Sequence, residues 1–472
     1  MQFLSIILNI LATPAILVGL VALLGLILQK KPIEEVVKGT VKTIVGFLVL
    51  TAGASFLQSG SLNDFGTLFN YAFGIQGVVP NNEAIVSFGL QQFASETALI
   101  MCLGMVANIV MARFSRLNYI FLSGHVTLYM ACMLAVILHV GVLRETTLII
   151  TGGLLLGLIM VLSPAICMPT MKKVMKTDTI ALGHFGGVGY WFAGQVGRIV
   201  RGNKKQIKST EDIKFPQRIS FLRDTTVAIG LTMVLFFLIV TGVAIAKGGL
   251  HDPVIAAMFA SGDTKTHWIV WALIRGFNFA GGVFIILSGV RLIIGEIVPA
   301  FKGIAEKLVP HAKPALDCPI IFPSAPNAVL IGFLVSFLGG VVGLFILGLM
   351  NNAGIAIALI LPGVIPHFFC GATAGVFANA EGGLKGCIIG SFLHGLLITF
   401  LPALCMPVMG LLNFANCTFS DTDFSVAGIL LGYVAQLVHG NGLLILAIIL
   451  FLLPILYHYI VPKKYPNEEK GE

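Results

Sequence analysis

The chain has 472 residues, of which 57% are hydrophobic and 11% charged, and its formal net charge is +8. So apolar a composition, spread over many runs of about 18 residues or more, excludes a soluble globular domain and reads as a polytopic membrane protein. The positive charge does not point to nucleic acid, because most Lys and Arg fall in short loops between apolar runs, where they report orientation.

In chain order, Met1-Gln2-Phe3-Leu4 lacks the basic region and small-residue cleavage site of a signal peptide, so the first apolar run is expected to be a retained helix. Five runs, near 12–29, 43–58, 96–112, 119–141 and 148–170, are long enough to cross a bilayer at about 1.5 Å per residue. Residues 183–200, opening Gly183-His184-Phe185-Gly186-Gly187, are glycine-rich, only moderately apolar and flanked by lysines on both sides. They are expected to form a re-entrant segment, since irregular backbone at membrane depth must be buried in protein or line a cavity. A basic loop, 201–224, follows. Runs near 225–246, 267–295, 328–350, 353–372, 384–410 and 427–461 bring the expectation to about eleven spans in an all-α protein, with a tail at 463–472. Before the 328–350 run, Asp317 to Asn327 carries Pro319, Pro323 and Pro326, a second broken element.

Lys30, Lys31, Lys38 and Lys42 follow the first span, Arg113 and Arg116 the third, Lys172, Lys173 and Lys176 the fifth, and Lys463 and Lys464 the last. All fall on one side, which predicts an outside N-terminus and a cytoplasmic C-terminus. Gly46-Phe47-Leu48-Val49-Leu50-Thr51-Ala52-Gly53 aligns with Gly282-Val283-Phe284-Ile285-Ile286-Leu287-Ser288-Gly289, and Leu122-Ser123-Gly124-His125-Val126 with Leu361-Pro362-Gly363-Val364-Ile365, at offsets of about 236 to 239 residues. With that topology the matched segments cross in opposite directions, so 1–200 and 225–462 read as inverted repeats, a transporter signature.

Ionisable groups at membrane depth mark function unless they are simply paired. His125 opens the fourth span and His184 heads the re-entrant segment, and two Gly-His pairs at two irregular places suggest one site. The competing reading is that each histidine bonds a neighbouring carbonyl. Asp317 stands at the start of the Pro-broken element, where a carboxylate accepts from substrate hydroxyls or, alternatively, caps a helix or pairs with Arg291. Arg291 and Glu296 read as a structural pair, and nothing favours a functional role for His139, His367 or His394. The eight cysteines lie mostly in apolar runs without Cys-x-x-Cys spacing, so neither disulfides nor a metal site is expected. No phosphate-cradling loop, nucleophile elbow, zincin helix or acidic metal motif is present. Catalysis within the chain is therefore not expected, and energy must come from an ion gradient, a partner or downhill flow.

Leu122-Ser123-Gly124-His125, Leu182-Gly183-His184, Leu316-Asp317-Cys318 with Ser324-Ala325-Pro326-Asn327-Ala328-Val329, and Pro362-Gly363-Val364-Ile365-Pro366 with Ala372-Thr373-Ala374-Gly375-Val376-Phe377-Ala378-Asn379 resemble the ascorbate-specific membrane component, EIIC, of the bacterial phosphotransferase system (PTS), from about residue 37 to the end. The resemblance implies a homodimeric eleven-span carrier of the bacterial inner membrane, with a substrate-holding core that moves against a dimer-forming scaffold. It implies that cytoplasmic EIIB, recharged by EIIA, phosphorylates L-ascorbate or a related sugar acid as it is released, and that this chain needs no cofactor or metal.

Carried over by position, His125, His184 and Asp317 match residues that line the family's pocket. Tyr129 and Phe185 stand where the family has glutamines, and Asn82 and Glu83 fall on two further pocket positions. Aromatic faces in place of amides remove donors and acceptors for a polyhydroxylated ring but still stack on it. Ascorbate is an anion near neutral pH, so His125, His184, Ser123 and free backbone amides suit it as donors, whereas Glu83 is awkward beside it. The alternative reading is an ion-coupled secondary transporter of a small polyhydroxylated substrate, in which Asp317 or a histidine carries a proton.

Overall fold

In a bilayer every backbone amide must find an internal partner, so long apolar runs become helices, and irregular pieces survive only inside the protein. The computed structural model describes residues 14–74, 77–140, 145–203, 207–213, 225–261, 264–410, 416–438 and 441–460. Lys463 and Lys464, the expected tail at 463–472 and the stretch 214–224 of the basic loop lie outside the described residues. Among those described, eight helical stretches are long and apolar enough to cross a membrane, and Gly124–His139 and Thr422–Leu437 are shorter apolar helices. The chain is an all-α polytopic membrane protein.

The first half comprises α1 (Pro14–Leu28), α2 (Ile33–Leu57), α3 (Asn63–Phe73), β1 (Gly77–Pro80), α4 (Asn82–Phe114), β2 (Tyr119–Phe121), α5 (Gly124–Val140), α6 (Glu145–Met175), β3 (Ala181–Leu182) and α7 (Gly187–Arg201). The second comprises α8 (Thr225–Ala246), α9 (Trp268–Leu308), β4 (Lys313–Leu316), a 3-10 helix at Cys318–Ser324, α10 (Pro326–Asn352), β5 (Leu359–Ile360), α11 (Ala372–Cys405), β6 (Cys417–Thr418) and α12 (Thr422–Leu437), followed by α13 (Asn441–Ile460).

The short strands tie the halves together. In one parallel sheet β1 lies between β5 and β6, with Val78 opposite Ile360 and Pro80 opposite Thr418. In the other β4 lies between β2 and β3, with Phe121 and Ala181 both opposite Ala315. Each central strand thus comes from one half and its neighbours from the other. Gly77 to Lys313, and Ala181 to Cys417, are both steps of 236 residues, matching the offset of the sequence repeat. The paired helices α2 and α9 run antiparallel: Gly46 meets Leu292 and Gly289, while Leu57 meets Gly282 at the other end. A side chain at Gly289 would begin 2.5 Å from the Gly46 carbonyl, so glycine is required for this approach.

Three expected spans are corrected. The run 353–372 is not one helix: it holds β5, then a helical start at Val364–Pro366 and a π turn at His367–Gly371 that leads into α11. The helical stretch Val364–Val408 has 45 residues and would be about 68 Å long at 1.5 Å per residue, twice the hydrocarbon thickness. It reverses at Gly383, where φ is 64° and ψ −157°, and Gly386 and Gly390 return against Ala378. The run 427–461 is two helices, α12 and α13. The span expected at 96–112 is the later part of α4, which begins at Asn82 and bends at Phe93.

Two groups of helices result. α1, α2, α3, α8 and α9 pack on one another as one layer, and α4 to α7 with α10 to α12 form the other, built on the α7–α11, α10–α11 and α4–α6 contacts. The first layer is called the scaffold below and the second the core.

Candidate functional site

Both sheets end where the chain must break, and the broken ends converge. After β4, Asp317 caps the 3-10 helix, its Oδ1 accepting from the Cys318 amide at 2.7 Å. After β1, Asn81 caps α4 by accepting from the Ala84 amide at 2.7 Å. Such caps satisfy amides that the helix itself leaves free. The ends after β3 and β6 interlock. The Asp423 carboxylate, at the start of α12, accepts from the Gly187 amide at 3.0 Å, the Val188 amide at 2.8 Å and Ser163 Oγ at 2.7 Å, and Thr422 Oγ1 accepts from the Gly189 amide at 3.0 Å. An anion thus sits on the N-terminus of α7, where the helix dipole favours it. In return the Asp423 amide donates to the Phe185 carbonyl at 2.9 Å. This lock holds His184, one residue before Phe185, in place.

Between core and scaffold lies a cavity of about 320 Å³, within the size range of small-molecule sites. The core lines it with Asn82, Glu83, His125, Tyr129, His184, Asp317 and Asp421, and the scaffold with Thr226, Ile229, Val283, Phe284 and Arg291. His184 is its centre. Its Nδ1 shares a hydrogen bond with the Tyr190 hydroxyl at 2.7 Å, and its Nε2 lies 3.6 Å from Asp421 Oδ2 and 3.9 Å from Asp317 Oδ1. His125 Nε2 lies 3.5 Å from Asp317 Oδ2. Asp421 Oδ1 accepts from Asn82 Nδ2 at 2.9 Å and from Ser420 Oγ at 2.7 Å, while Asn82 Oδ1 accepts from the Ser420 amide at 2.9 Å.

Three polar atoms on this wall are buried without a hydrogen-bond partner: Glu83 Oε2, the Tyr129 hydroxyl and Asp421 Oδ2. Buried polar groups are normally satisfied, so unpartnered ones around an open cavity point to a polar ligand. Two acceptor oxygens and a hydroxyl suit a polyhydroxylated molecule, and the imidazoles and Arg291 suit an anion. Metal-ligating residue types also surround His184, in the sets His184, Asp317, Cys318 and His184, Cys370, Asp421. The Cys318 thiol lies 3.4 Å from the Tyr190 hydroxyl that also serves His184, so these groups already form a hydrogen-bonded cluster.

Of the seven residues expected from sequence, the structure brings six to this cavity: Asn82, Glu83, His125, Tyr129, His184 and Asp317. Phe185 is not among the lining residues. It is fully buried, stacked on Phe121 at 4.6 Å and edge-on to Phe424 at 5.7 Å, because the turn that presents His184 sends the next side chain to the opposite side. Sequence reasoning missed Asp421, although it stands three residues after β6 as Phe185 stands three after β3, and the 236-residue step carries that position, next to His184, onto it. Arg291 lines the cavity; the pair it was expected to form with Glu296 falls on a side chain outside the described residues.

The EIIC-GAT family, described as the PTS system sugar-specific permease component, matches residues 9–423. The chain belongs to this family of PTS permeases. Its members are the transport subunits of a phosphotransferase system. Among curated proteins, the ascorbate-specific PTS system EIIC component of Mycoplasma pneumoniae (strain ATCC 29342 / M129 / Subtype 1) is similar to this permease, 28% identical over 431 residues. That match covers 81% of this chain and 63% of the relative's length.

Proposed function

We propose that this PTS permease binds L-ascorbate, or a closely related sugar acid, in the cavity at His184 and carries it across the bacterial inner membrane, with phosphorylation by a cytoplasmic EIIB partner that is recharged by EIIA. The observation that carries the reading is the set of unpartnered buried acceptors, Glu83 Oε2 and Asp421 Oδ2, beside the cationic or donor groups His125, His184 and Arg291. A ring with several hydroxyls and a delocalised negative charge satisfies both at once. His125, His184, Tyr129 and Arg291 donate to its oxygens; Asp317, Asp421, Asn82 and Glu83 accept from its hydroxyls. Glu83 fits a hydroxyl at the end of the molecule away from the charge.

The crossings are eleven in this reading: α1, α2, α4, α5, α6, α8, α9, α10, the two arms of the hairpin about Gly383, and α13. α7 and α12 are re-entrant. The N-terminus is outside and the C-terminus inside, the repeats 1–200 and 225–462 are joined by the cytoplasmic loop 201–224, and 463–472 is a cytoplasmic tail. The cavity then opens toward the cytoplasm past Thr226 and Arg291, the side on which phosphorylation must occur. Two copies associate through their scaffolds, and the core carries the substrate past them, exchanging α9 for its repeat partner α2 as the cavity wall. This chain contributes binding and movement; the phosphoryl group stays on the partners until the substrate hydroxyl receives it.

The test is uptake of radiolabelled ascorbate by cells that express the chain with cognate EIIA and EIIB, or with EIIB omitted. Phosphorylated ascorbate that accumulates only with EIIB supports the reading. Uptake of unmodified ascorbate that needs no EIIB and collapses with an uncoupler would refute it in favour of ion coupling.

A further inference from the structure

The strings around Asn327 and Asn379 are not among the residues lining the cavity, yet both asparagine side chains are hydrogen-bonded to the loop between the repeats. Asn327 Nδ2 donates to the carbonyls of Thr210 at 3.0 Å and Ile213 at 2.6 Å, and Asn379 Oδ1 accepts from the Thr210 amide at 3.0 Å while its Nδ2 donates to Ser209 Oγ at 3.3 Å. The Glu211 carboxylate accepts from the amides of Asn327 at 3.2 Å and Ala328 at 3.0 Å, capping α10 from another segment. The Leu384 amide donates to the Lys208 carbonyl at 2.8 Å, and at the Gly383 reversal a side chain would strike that same carbonyl. Thr210 is wholly buried beneath these contacts. Residues 207–213, a described part of the loop between the repeats, are therefore a fixed part of the core.

The clamp also sorts charge. Its acids are engaged: Glu211 and Asp212, though exposed, accept from the α10 amides and from the Ser209 amide at 2.9 Å, and Glu381 is buried against Lys173 at 2.7 Å, Thr170 at 2.9 Å and Arg198 at 3.7 Å. The cations face outward. Lys173 and Arg198 remain about half exposed, and Lys208 and Lys385, on either side of the Gly383 reversal, are exposed and make no ion pair among the described residues. A further exposed acid, Asp178, is paired with Lys172 and Lys313.

This basic platform is close to the cavity. The seven-residue 3-10 helix Cys318–Ser324 runs from Asp317 to the clamp, which is about 14 Å at 2 Å per residue.

From this we infer that the clamped segment 207–213, with Lys173, Arg198, Lys208 and Lys385, is the docking surface for an acidic face of the EIIB subunit, and that Asn327 and Asn379 serve to hold it on the moving core rather than to bind substrate. The inference rests on the proposed PTS coupling. Docking on the core keeps the phosphoryl donor at a constant distance from the substrate whatever the position of the scaffold, so transfer is tied to the loaded core. Positive charge also suits the approach of a phosphorylated, more negative donor.

The test uses the full chain in neutral-lipid nanodiscs, titrated with purified cognate EIIB at low and high salt and separately with ascorbate. Reversing both charges in Lys208→Glu with Lys385→Glu is expected to weaken EIIB binding about tenfold or more at low salt, with a smaller effect at high salt and unchanged ascorbate affinity. The neutral pair Lys208→Gln with Lys385→Gln is expected to fall between. Unchanged EIIB affinity in both variants overturns the proposal, as does a wild-type chain that binds no EIIB. Loss of binding only to phosphatidylglycerol vesicles, with EIIB affinity retained, also overturns it and assigns the surface to lipid. Failure of ascorbate to bind the wild type counts against the substrate reading alone, since the EIIB titration is scored independently.

Discussion

Replacing Asp421 by Asn isolates the one cavity acceptor that sequence reasoning did not find. The Asp421 carboxylate has two jobs: Oδ1 takes the bonds from Asn82 and Ser420, and Oδ2 faces the cavity unpartnered, 3.6 Å from His184 Nε2. Asn keeps an oxygen for the first job and puts an NH2 where a substrate hydroxyl must donate. A hydrogen bond to a charged group contributes roughly 1.5–3 kcal/mol, so ascorbate affinity should fall by about 10-fold to 150-fold at 1.4 kcal/mol per decade. Isothermal titration of the purified chain measures this directly, and the thermal midpoint serves as a control, since the folded network is retained. Asp421→Ala separates the two jobs: it strands Asn82 Nδ2 and Ser420 Oγ, and the midpoint should drop, because each buried group left unpaired costs about 1–3 kcal/mol. A Kd within about twofold of wild type for Asp421→Asn would show that Oδ2 does not meet the substrate, and the cavity assignment would fail at its centre.

Other perturbations test neighbouring parts of the argument. His125→Ala and His184→Ala should each abolish EIIB-dependent uptake while leaving membrane insertion unchanged, read by transport and by detergent-extracted yield; normal uptake by both removes the site. Arg291→Gln should weaken an anionic substrate about tenfold or more and a neutral analogue hardly at all, since a hydrogen bond to a charged group contributes about 1.5–3 kcal/mol; equal loss for both would make Arg291 a packing residue. Phe185→Gln, which restores the family's amide, should lower the thermal midpoint by opening the Phe121–Phe185–Phe424 stack, at about 3–5 kcal/mol for loss of a buried aromatic, without tightening ascorbate binding; tighter binding would place that side chain in the cavity after all. Gly289→Val should reduce folded yield, because its side chain meets the Gly46 carbonyl and overpacking of this kind costs about 1–3 kcal/mol.

What the sequence determined by itself was set by local and periodic physics. Apolar run length decided that the chain spans a membrane, and the repeat offset, about 236 to 239 residues by alignment, anticipated the strand spacing. The Gly-His pairs and the Pro-broken stretch after Asp317 marked His125, His184 and Asp317 as groups placed where helices must stop. What tertiary structure decided was direction and pairing. Whether His184 or Phe185 faces the cavity depends on a turn held by Asp423, more than two hundred residues away, and no local pattern encodes that. No local sequence signal marked Asp421, which becomes a cavity residue because the β6 end lies beside the β3 end. The reversal at Gly383 and the clamp on residues 207–213 depend on Asn379, Glu211 and a carbonyl at Lys208 meeting across the core. Hydropathy measures how readily a segment enters lipid; which of its atoms meet another segment is set by packing between halves, so membrane spanning was legible and the exact spans and the site's geometry were not.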